Sequence, residues 1–432
     1  MIGRRGFLFG AGALATAGGA YAWLQRPLVP AQLPVALRPE RLWADVVHYA
    51  RMGAHLTASP ADEATGTWQA EHLAAHGFAV RRHAFHLRQY FPISSSLRTS
   101  EGDIPVLPQW PVLGSLDVEA PLVPLENQRG MRDAVAFLTF PYNARASVDL
   151  PEYRALLTKA AAAGARAALA LTEGPSGEIV IMNARPDRPL PLPVGLIASH
   201  NQSRLAAVAY RGEKVRLTFQ GEVLATQASS IVGLIDRGTP WVVISTPQSG
   251  WTPAAGERGV GIALWRALAA ALPAASRASL LLVSNSGHEL GHLGARAMLP
   301  LVGRIVRSNG LRLWLHLGAN IATRAYTAEG DRYRLRDEPS RRRYLVGTPS
   351  ILAGLAWSFA DQPGMTPLPA INDRMAGEID TILDHGFSPV VGIFGAGLFH
   401  HTMQDLPEQA TSPALVGNVG QAVWRLASSK AS

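Results

Sequence analysis

The apolar residues of this chain follow two periods, one typical of helices and one typical of strands. Helical spacing begins at residue 41, with apolar residues at Leu42, Val46, Val47 and Ala50. Residues 63–77 predict a second helix, which Gly77 ends, and residues 78–86 predict a strand. Residues 90–130 are rich in Pro and Ser with short apolar runs, which indicates a β-rich segment.

Strand and helix patterns alternate along the rest of the chain. Before residue 231 the predicted elements are a strand at 134–140, a helix at 152–164, strands at 166–172 and 193–199, a helix at 201–212 and a strand at 215–221. After it they are strands at 241–246, 279–285 and 311–317, a helix at 259–272 and a helix–strand segment at 379–395. Such alternation predicts an α/β fold, a mostly parallel mixed sheet flanked by helices. Functional sites in these sheets lie beyond the carboxyl ends of the strands.

Composition narrows the class of protein. The 432 residues are 47% hydrophobic and 17% charged, which is enough apolar material for a large core. The net charge is +8, but the arginines are scattered and show no interleaving with aromatic residues, so we expect no nucleic-acid partner. Cysteine is absent from the chain, which excludes disulfides, thiolate metal sites and cysteine nucleophiles.

The N-terminus has the features of an export signal. Arg4 and Arg5 precede an apolar stretch rich in Ala and Gly, which resembles a twin-arginine signal, and Ala20-Tyr21-Ala22 offers a cleavage site. We therefore expect residues 1–26 to be a signal or an uncleaved membrane anchor, and 27–40 to be a Pro-rich linker. This predicts a periplasmic or extracytoplasmic protein that is exported already folded.

Residues 288–292 spell H-E-L-G-H, a match to the H-E-x-x-H pattern. On a regular helix this pattern presents two zinc-binding histidines and a glutamate base. Here Gly287, Gly291 and Gly294 interrupt the stretch, and a predicted strand runs directly into it. Because glycine interrupts helices and favours turns, we interpret the stretch as a strand-to-helix turn.

Three segments carry a resemblance to a known family. Residues 286–296, 377–395 and 400–405 resemble motifs of the co-catalytic zinc aminopeptidase family, which also includes glutamate carboxypeptidase, the transferrin receptor ectodomain and glutaminyl cyclase. Residues 51–80 resemble the opening segment of that family, and 158–173 resemble part of its protease-associated insert domain. The resemblance implies a catalytic domain at 41–89 and 231–432, and a β-rich protease-associated insert at 90–230.

The resemblance also implies a metal site, of which this chain keeps only part. Pro247 and Gly318 stand where the family has the two ligands specific to its first zinc ion. Ligands for the second ion remain, at Glu257, Glu289 and His401. His288 stands where the family has its glutamate base. The expectation is a single zinc ion bound by these three ligands, with His288 as the catalytic acid and base.

Other residues are expected near this site. His316, Asn320 and Asp405 fall at positions that contact substrate or support the ligands, whereas His400 should point away from its neighbour His401. A peptide or amide substrate follows from the resemblance. Two alternatives stay open: an inactive family member that binds a partner, and a single-zinc enzyme with different acyl or amide chemistry, as in glutaminyl cyclase. Glu289 could also serve only as a helix cap.

Overall fold

The computed structural model describes residues 33–112, 114–329, 332–370 and 377–431. The predicted export segment at 1–26 lies outside these ranges, so its role stays a prediction. Among the described residues, none of the helices is both long and apolar enough to span a bilayer. The account that follows concerns the unit that begins at Ala36.

The predicted helices form with shifted ends, and three helices that the sequence did not predict lie at 352–358, 407–410 and 413–431. The described helices are α1 (Pro39–Arg51), α2 (Pro60–Ala75), α3 (Pro151–Ala162), α4 (Gln202–Tyr210), α5 (Val260–Ala275), α6 (Leu293–Asn309), α7 (Leu352–Ser358), α8 (Glu378–Asp384), α9 (Pro407–Ala410) and α10 (Pro413–Ala431). Helix α2 starts earlier than predicted because the Ser59 hydroxyl accepts a hydrogen bond from the Asp62 amide and Pro60 occupies the first turn.

The predicted strands form, two of them much longer than predicted, and the strands between residues 324 and 369 were not predicted. The described strands are β1 (Ala79–Thr99), β2 (Gly102–Ile104), β3 (Leu107–Pro108), β4 (Leu116–Pro124), β5 (Val135–Phe140), β6 (Ala167–Thr172), β7 (Val194–Ala198), β8 (Lys214–Ile235), β9 (Trp241–Pro247), β10 (Ser279–Asn285), β11 (Leu311–Leu317), β12 (Arg324–Glu329), β13 (Arg332–Pro339), β14 (Arg343–Gly347), β15 (Pro367–Pro369) and β16 (Val390–Gly395).

The predicted fold class is confirmed: a mostly parallel sheet lies between helices. Strand β9 pairs in parallel with β10 and β11, and β11 pairs in parallel with β16. Strands β8 and β14 flank this set in antiparallel pairing. A second parallel set joins β4, β5, β6 and β7 within the predicted insert. The carboxyl ends of β9, β10, β11 and β16 therefore meet at one edge of the sheet.

Two long strands connect the parallel sets. Strands β1 and β8 pair antiparallel along nearly their whole length, from Ala79 with Leu234 to Arg98 with Arg216. The predicted domain boundaries at 89/90 and 230/231 fall inside these strands, and the division itself stays a prediction. Apolar side chains of β5, β6 and α4 form one buried cluster of the insert segment. Another buried cluster joins β9 and β10 to α6 and α8.

Candidate functional site

A cavity of about 330 Å³ lies at the carboxyl ends of the central parallel strands. Its acidic and imidazole lining comes from the loops after β9, β10 and β16, from the end of β11 and from the start of α8. These residues are Glu257, His288, His292, His316, Glu378, Asp380, His400 and His401. Three arginines also line the cavity, Arg145 and Arg185 from the predicted insert and Arg296 from helix α6. The cavity is therefore the candidate functional site.

Asp405 holds the turn that carries Glu257. Its two carboxylate oxygens accept hydrogen bonds from the backbone amides of Gly256 (2.8 Å) and Glu257 (3.0 Å). A Cβ atom at Gly256 would lie 2.8 Å from the Cβ of Ala410 and 3.0 Å from an oxygen of Asp405, so this close approach requires glycine. Burial raises the pKa of Asp405 to about 7. Asp405 thus orients Glu257 through its backbone.

A buried arginine lies beside Glu257. The Arg258 guanidinium is 1% exposed, and its Nη2 lies 2.7 Å from Glu257 Oε1. Its Nε donates a hydrogen bond to the Ser249 carbonyl at 3.0 Å. Burial alone would raise the pKa of Glu257, but Arg258 and then His401 outweigh that effect and hold this pKa well below its ordinary value. Glu257 is therefore an ionised carboxylate inside the protein.

His401 faces Glu257 in a fixed tautomer. Its Nδ1 lies 2.6 Å from the carbonyl oxygen of Ile181, which can only accept a hydrogen bond. Neutral His401 consequently carries its proton on Nδ1 and offers a lone pair on Nε2. That Nε2 lies 3.1 Å from Glu257 Oε1. In that neutral form two acceptor atoms face each other in the buried wall of the cavity, whereas with a proton on Nε2 the His401 ring is a cation that donates to Glu257.

His400 joins this group, contrary to the expectation that it points away from His401. The two imidazole rings lie 4.1 Å apart between centroids, and one donor atom each from Glu257, His400 and His401 fall within 4.8 Å of one another. Asn320 Nδ2 donates to His400 Nδ1 at 2.9 Å and to the Gly395 carbonyl at 3.3 Å. Because burial lowers the pKa of His400 to about 3, this ring is neutral and carries its proton on Nε2.

His288 is paired with a carboxylate that the sequence did not indicate. Its Nδ1 lies 3.3 Å from Glu378 Oε1, and the Asn285 amide donates to Glu378 Oε2 at 2.9 Å. Burial, followed by the nearby Arg258 charge, holds the pKa of His288 well below its ordinary value. Donation from Nδ1 to Glu378 leaves Nε2 of the neutral ring as an acceptor.

The H-E-L-G-H stretch is a turn, as predicted. His288–Leu290 form one turn of 3₁₀ helix, and the left-handed residues Gly287, Gly291 and His292 flank it, with φ angles of 78°, 71° and 61°. Helix α6 begins only after this turn. The His292 ring lies 4.9 Å from the His288 ring, and its Nδ1 lies 3.0 Å from the Thr381 hydroxyl.

Glu289 lies outside the donor group. Its Oε1 accepts hydrogen bonds from the amide (2.9 Å) and the hydroxyl (2.5 Å) of Thr57, and its Oε2 accepts one from the Ser249 hydroxyl at 2.6 Å. The carboxylate is fully buried, and Glu289 does not line the cavity. The structure thus places the implied ligand Glu289 in a hydrogen-bond network that joins three loops.

His316 lines the cavity beside a buried hydroxyl. The Trp314 indole donates to the Ser245 hydroxyl at 2.8 Å, and that hydroxyl lies 2.9 Å from His316 Nδ1. Because the hydroxyl has two lone pairs, it can donate its own proton to Nδ1 or accept a second N–H from it. Burial lowers the pKa of His316 to about 4, which keeps the ring neutral. When the Ser245 hydroxyl donates to Nδ1, the His316 ring carries its proton on Nε2 as a hydrogen-bond donor.

The predicted site residues divide into two groups. Glu257, His288, His316 and His401 line the cavity together, whereas Glu289, Asn320 and Asp405 support the surrounding loops. The sequence did not indicate His400 and Glu378 as lining residues, nor the charged residues Arg145, Arg185, Arg296 and Asp380. Adjacent residues usually diverge in direction, but the left-handed backbone at His401, with φ of 61°, turns both rings toward Glu257. Nothing in the local sequence distinguishes Glu378 from an ordinary acidic first turn of a helix.

Glu257 and His401 have the geometry of ligands to one metal ion. Tetrahedral zinc with bonds of about 2.0–2.1 Å separates neighbouring ligand atoms by roughly 3.3 Å, close to the 3.1 Å between Glu257 Oε1 and His401 Nε2. Metal-bound histidines commonly donate their other N–H to a backbone carbonyl, as His401 does to Ile181. Among the described residues, Glu257 Oε2 has no hydrogen-bond partner. These residues fit one ion.

Two neighbours limit that fit. The Arg258 guanidinium already contacts Glu257 Oε1, so it competes with a metal cation for this carboxylate. His400 becomes a third ligand through Nε2 only if the Asn320 amide turns, so that its oxygen accepts a proton from Nδ1.

The fold is that of zinc aminopeptidases. An aminopeptidase from Aneurinibacillus sp. strain AM-1 superposes with a TM-score of 0.61 and 14% identity, over 91% of this chain and 95% of that chain. A zinc aminopeptidase from Bacillus subtilis has a TM-score of 0.67 and 13% identity over the same shares, 91% and 95%. A peptidase M28 precursor from Shewanella amazonensis SB2B gives 0.65 and 14%, over 90% and 96%. No family model and no curated protein sequence matches the chain.

Proposed function

We propose that this chain is a metal-dependent hydrolase of peptide or amide bonds, with one zinc ion held by Glu257 and His401. One observation carries this proposal: the Glu257 carboxylate and the Nε2 atom of His401 face each other at 3.1 Å in the wall of the cavity. His400 is the residue placed to complete the ligand set. The shared fold with zinc aminopeptidases supports the choice of metal and substrate class.

His288 is proposed to move the proton in this reaction. Its neutral ring is an acceptor at Nε2, and the Glu378 carboxylate, which contacts Nδ1, stabilises the imidazolium that forms when Nε2 takes a proton. His316 is proposed to carry its proton on Nε2, as an N–H donor that can stabilise negative charge on a substrate oxygen. The zinc ion, when bound, supplies Lewis acidity toward a carbonyl or a water molecule.

Metal content tests the ligand assignment. The full chain, purified from cells grown with zinc, is expected to contain one zinc per polypeptide by elemental analysis. Glu257→Gln and His401→Ala are expected to lose it, whereas Glu289→Gln is expected to keep it. Two ions per chain would contradict the single-metal site, and a zinc-free wild-type protein would exclude a zinc-dependent reaction.

Activity tests the reaction class. Aminoacyl amides and short peptides are the substrates to screen, together with peptides that carry N-terminal glutamine, because a cyclised product would identify glutaminyl cyclase-like chemistry instead of hydrolysis. His288→Gln is expected to lower kcat by about 10²–10⁴-fold while zinc remains bound. Unchanged turnover in this variant would remove His288 from its role.

Arg258 favours a second candidate function, ligand binding without catalysis. Its charge neutralises Glu257 inside the protein, so the site is stable with no metal present. Zinc-free wild-type protein that still binds peptides in the cavity would support this alternative. Replacing Arg258 with Met then separates the two functions, because zinc binding should strengthen in a hydrolase from which a competing cation has been removed.

Export is proposed from the N-terminal sequence. The paired residues Arg4 and Arg5 before an apolar stretch support secretion of the folded protein to the periplasm. A double Arg→Lys substitution at these positions is expected to retain the protein in the cytoplasm, as followed by cell fractionation. Equal periplasmic amounts of the wild-type protein and the Arg→Lys variant would contradict the twin-arginine assignment. The size of the exported chain distinguishes cleavage from membrane anchoring.

A further inference from the structure

A second cavity contains a buried guanidinium that is not neutralised. It has a volume of about 260 Å³ and lies between the start of β14, the segment after α7 and helix α10. Arg343 in its wall is 2% exposed. The other polar residues of the wall are Asp361, Gln362, Asn418 and Gln421.

Arg343 uses only part of its hydrogen-bonding capacity. Its Nη2 donates to the carbonyl of Pro363. Its Nε and Nη1 have no hydrogen-bond partner among the described residues. Burial lowers the pKa of Arg343 to about 10, and no acid within the described part of the chain offsets this effect. Since an unpaired buried charge is strongly unfavourable, these N–H groups are expected to have a ligand.

The carboxylate in the wall does not serve as that ligand. Asp361 Oδ1 forms an ion pair with Arg425 Nη2 at 2.5 Å. The Gln362 amide is also engaged, since its Nε2 donates to Asp361 Oδ1 and to the Asn418 carbonyl. At the exposed rim, Asn418 and Gln421 add amide groups to the wall. The hydrogen-bonding groups that remain free in this cavity are therefore donors, and they surround a positive charge.

We propose that this cavity binds a small oxyanion, a carboxylate or a phosphate-like group, on the guanidinium of Arg343. The two forks of a guanidinium pair Nη2 with Nε or with Nη1, and Nη2 has a second N–H besides the one donated to Pro363, so one fork remains for two oxygens of such an anion. The site is separate from the candidate zinc site. Arg343 and Tyr344 are successive residues of β14, so their side chains point to opposite faces, and Tyr344 lines the other cavity.

Anion-dependent stability tests this site in the full chain. Inorganic phosphate, sulfate or acetate replaces chloride at constant ionic strength, and the melting temperature is recorded. Above the dissociation constant, each tenfold rise in the free anion concentration is expected to raise the melting temperature by about 1.5 °C. Isothermal titration calorimetry is expected to give one site per chain. Comparison of acetate with phosphate and sulfate distinguishes a carboxylate ligand from a tetrahedral one.

Arg343→Met is the informative variant, and Arg341→Met is its control, because Arg341 is exposed two residues earlier. The first is expected to weaken anion binding at least tenfold and the second to leave it unchanged. Without anion, Arg343→Met should melt no lower than wild type, since it removes an unpaired buried charge. If it does not fold, Gln421→Leu replaces it, with an expected weakening of about threefold. Equal stabilisation of all variants, or none beyond that of chloride, would overturn the proposal.

Discussion

Asp62 is a buried carboxyl group that connects helix α2 to two loops of the candidate site. Its Oδ1 accepts from the Gln248 amide at 2.9 Å, and its Oδ2 accepts from the Ser286 hydroxyl at 2.5 Å and from the Ala58 amide at 2.9 Å. Burial nevertheless dominates and raises the pKa of Asp62 from 3.8 to about 7. The folded protein therefore binds a proton on this group that the unfolded chain has already released.

The raised pKa of Asp62 predicts how the stability of the protein changes with pH. A raised pKa in the folded state means that its favourable contribution is complete below pH 3.8 and is lost as pH rises toward 7. Asp62→Asn is expected to make the fall in unfolding free energy between pH 4.5 and 7 shallower by up to about 1.4 kcal/mol per pH unit. Urea denaturation of metal-free protein measures this slope. Glu71→Gln on the exposed face of α2 is the control, and a slope identical in all three proteins would contradict the assignment.

Glu289 is expected to stabilise the fold and not to bind the metal. Its replacement by Gln exchanges an acceptor for a donor opposite Thr57 or Ser249, which leaves at least one buried polar group without a partner. The expected loss is about 1–3 kcal/mol of unfolding free energy, with zinc content unchanged. Denaturation and elemental analysis on the same sample check both statements. A variant that is as stable as wild type but has lost zinc would restore Glu289 as a ligand.

Among the site residues, the sequence predicted which residues line the cavity better than it predicted what each side chain does there. The motif around His288 and His401 placed both residues at the cavity, and Glu257 followed from the same resemblance. The network around Glu289 was not predictable, because Thr57 lies 232 residues away in sequence and only the folded chain brings the two together. Glu378 escaped notice for the same reason, since Asn285 and His288 reach it from a different strand–turn unit.

Among the elements, the turn from β10 into α6 has no room for a side chain at Gly294. Gly294 lies so close to β8 and the turn that a Cβ atom would be 2.2 Å from the Ser286 carbonyl and 2.5 Å from the Ser230 hydroxyl. The contact with backbone cannot be relieved by rotating a side chain. The turn that carries His288 and Glu289 therefore depends on this glycine.

Gly294→Ala is expected to destabilise the protein by about 2–4 kcal/mol, because the start of α6 must move away from Ser286. Gly354→Ala in helix α7 is the matched control: nothing lies within 4 Å of its Cβ position, so the change should be neutral or stabilise by up to about 1 kcal/mol. Chemical denaturation compares the two. Equal effects of both substitutions would show that the turn can relax.

The spacing of apolar residues predicted whether a segment is a helix or a strand, but it did not predict how long strands β1 and β8 are. The pattern predicted strands at 78–86 and 215–221, whereas β1 and β8 run through 79–99 and 214–235. Many of the additional residues are exposed on a two-stranded ribbon. They therefore lack the alternation of apolar and polar residues by which a strand is recognised in a sequence. Their pairing with each other supplies the backbone hydrogen bonds that a sequence window cannot show.

For the whole molecule, one connection at the candidate site joins the predicted insert segment to the loops that carry His401 and Glu289. The Ile181 amide donates to the His401 carbonyl at 3.0 Å, and His401 Nδ1 donates to the Ile181 carbonyl at 2.6 Å. The Ala184 amide donates to the Glu289 carbonyl at 3.0 Å, and the Trp251 indole donates to Asn183 Oδ1 at 3.0 Å. Residues 181–184 thus fix the tautomer of one proposed ligand from outside the central sheet.

Gln109 supports this segment from deeper in the insert. Its Nε2 donates to the Met182 carbonyl at 2.9 Å, and its Oε1 accepts from the Met182 amide at 3.2 Å. Gln109→Leu removes both bonds and releases the backbone next to Ile181, so the carbonyl that orients His401 loses its fixed position. Second-layer changes of this kind commonly weaken metal binding by about 10–100-fold. We expect a loss near the lower end of that range, because both proposed ligands stay in place.

Competition with a zinc chelator measures the change in affinity. Ser94→Ala, which removes an exposed hydrogen bond to Gln220 elsewhere in the insert segment, is the control and should leave zinc affinity unchanged. A ¹⁵N NMR spectrum of the imidazoles adds a readout that general destabilisation would not alter, since metal-free Gln109→Leu should lose the uniform Nδ1–H tautomer of His401. Wild-type zinc affinity in Gln109→Leu would mean that the loops of the candidate site orient His401 without a contribution from the insert segment.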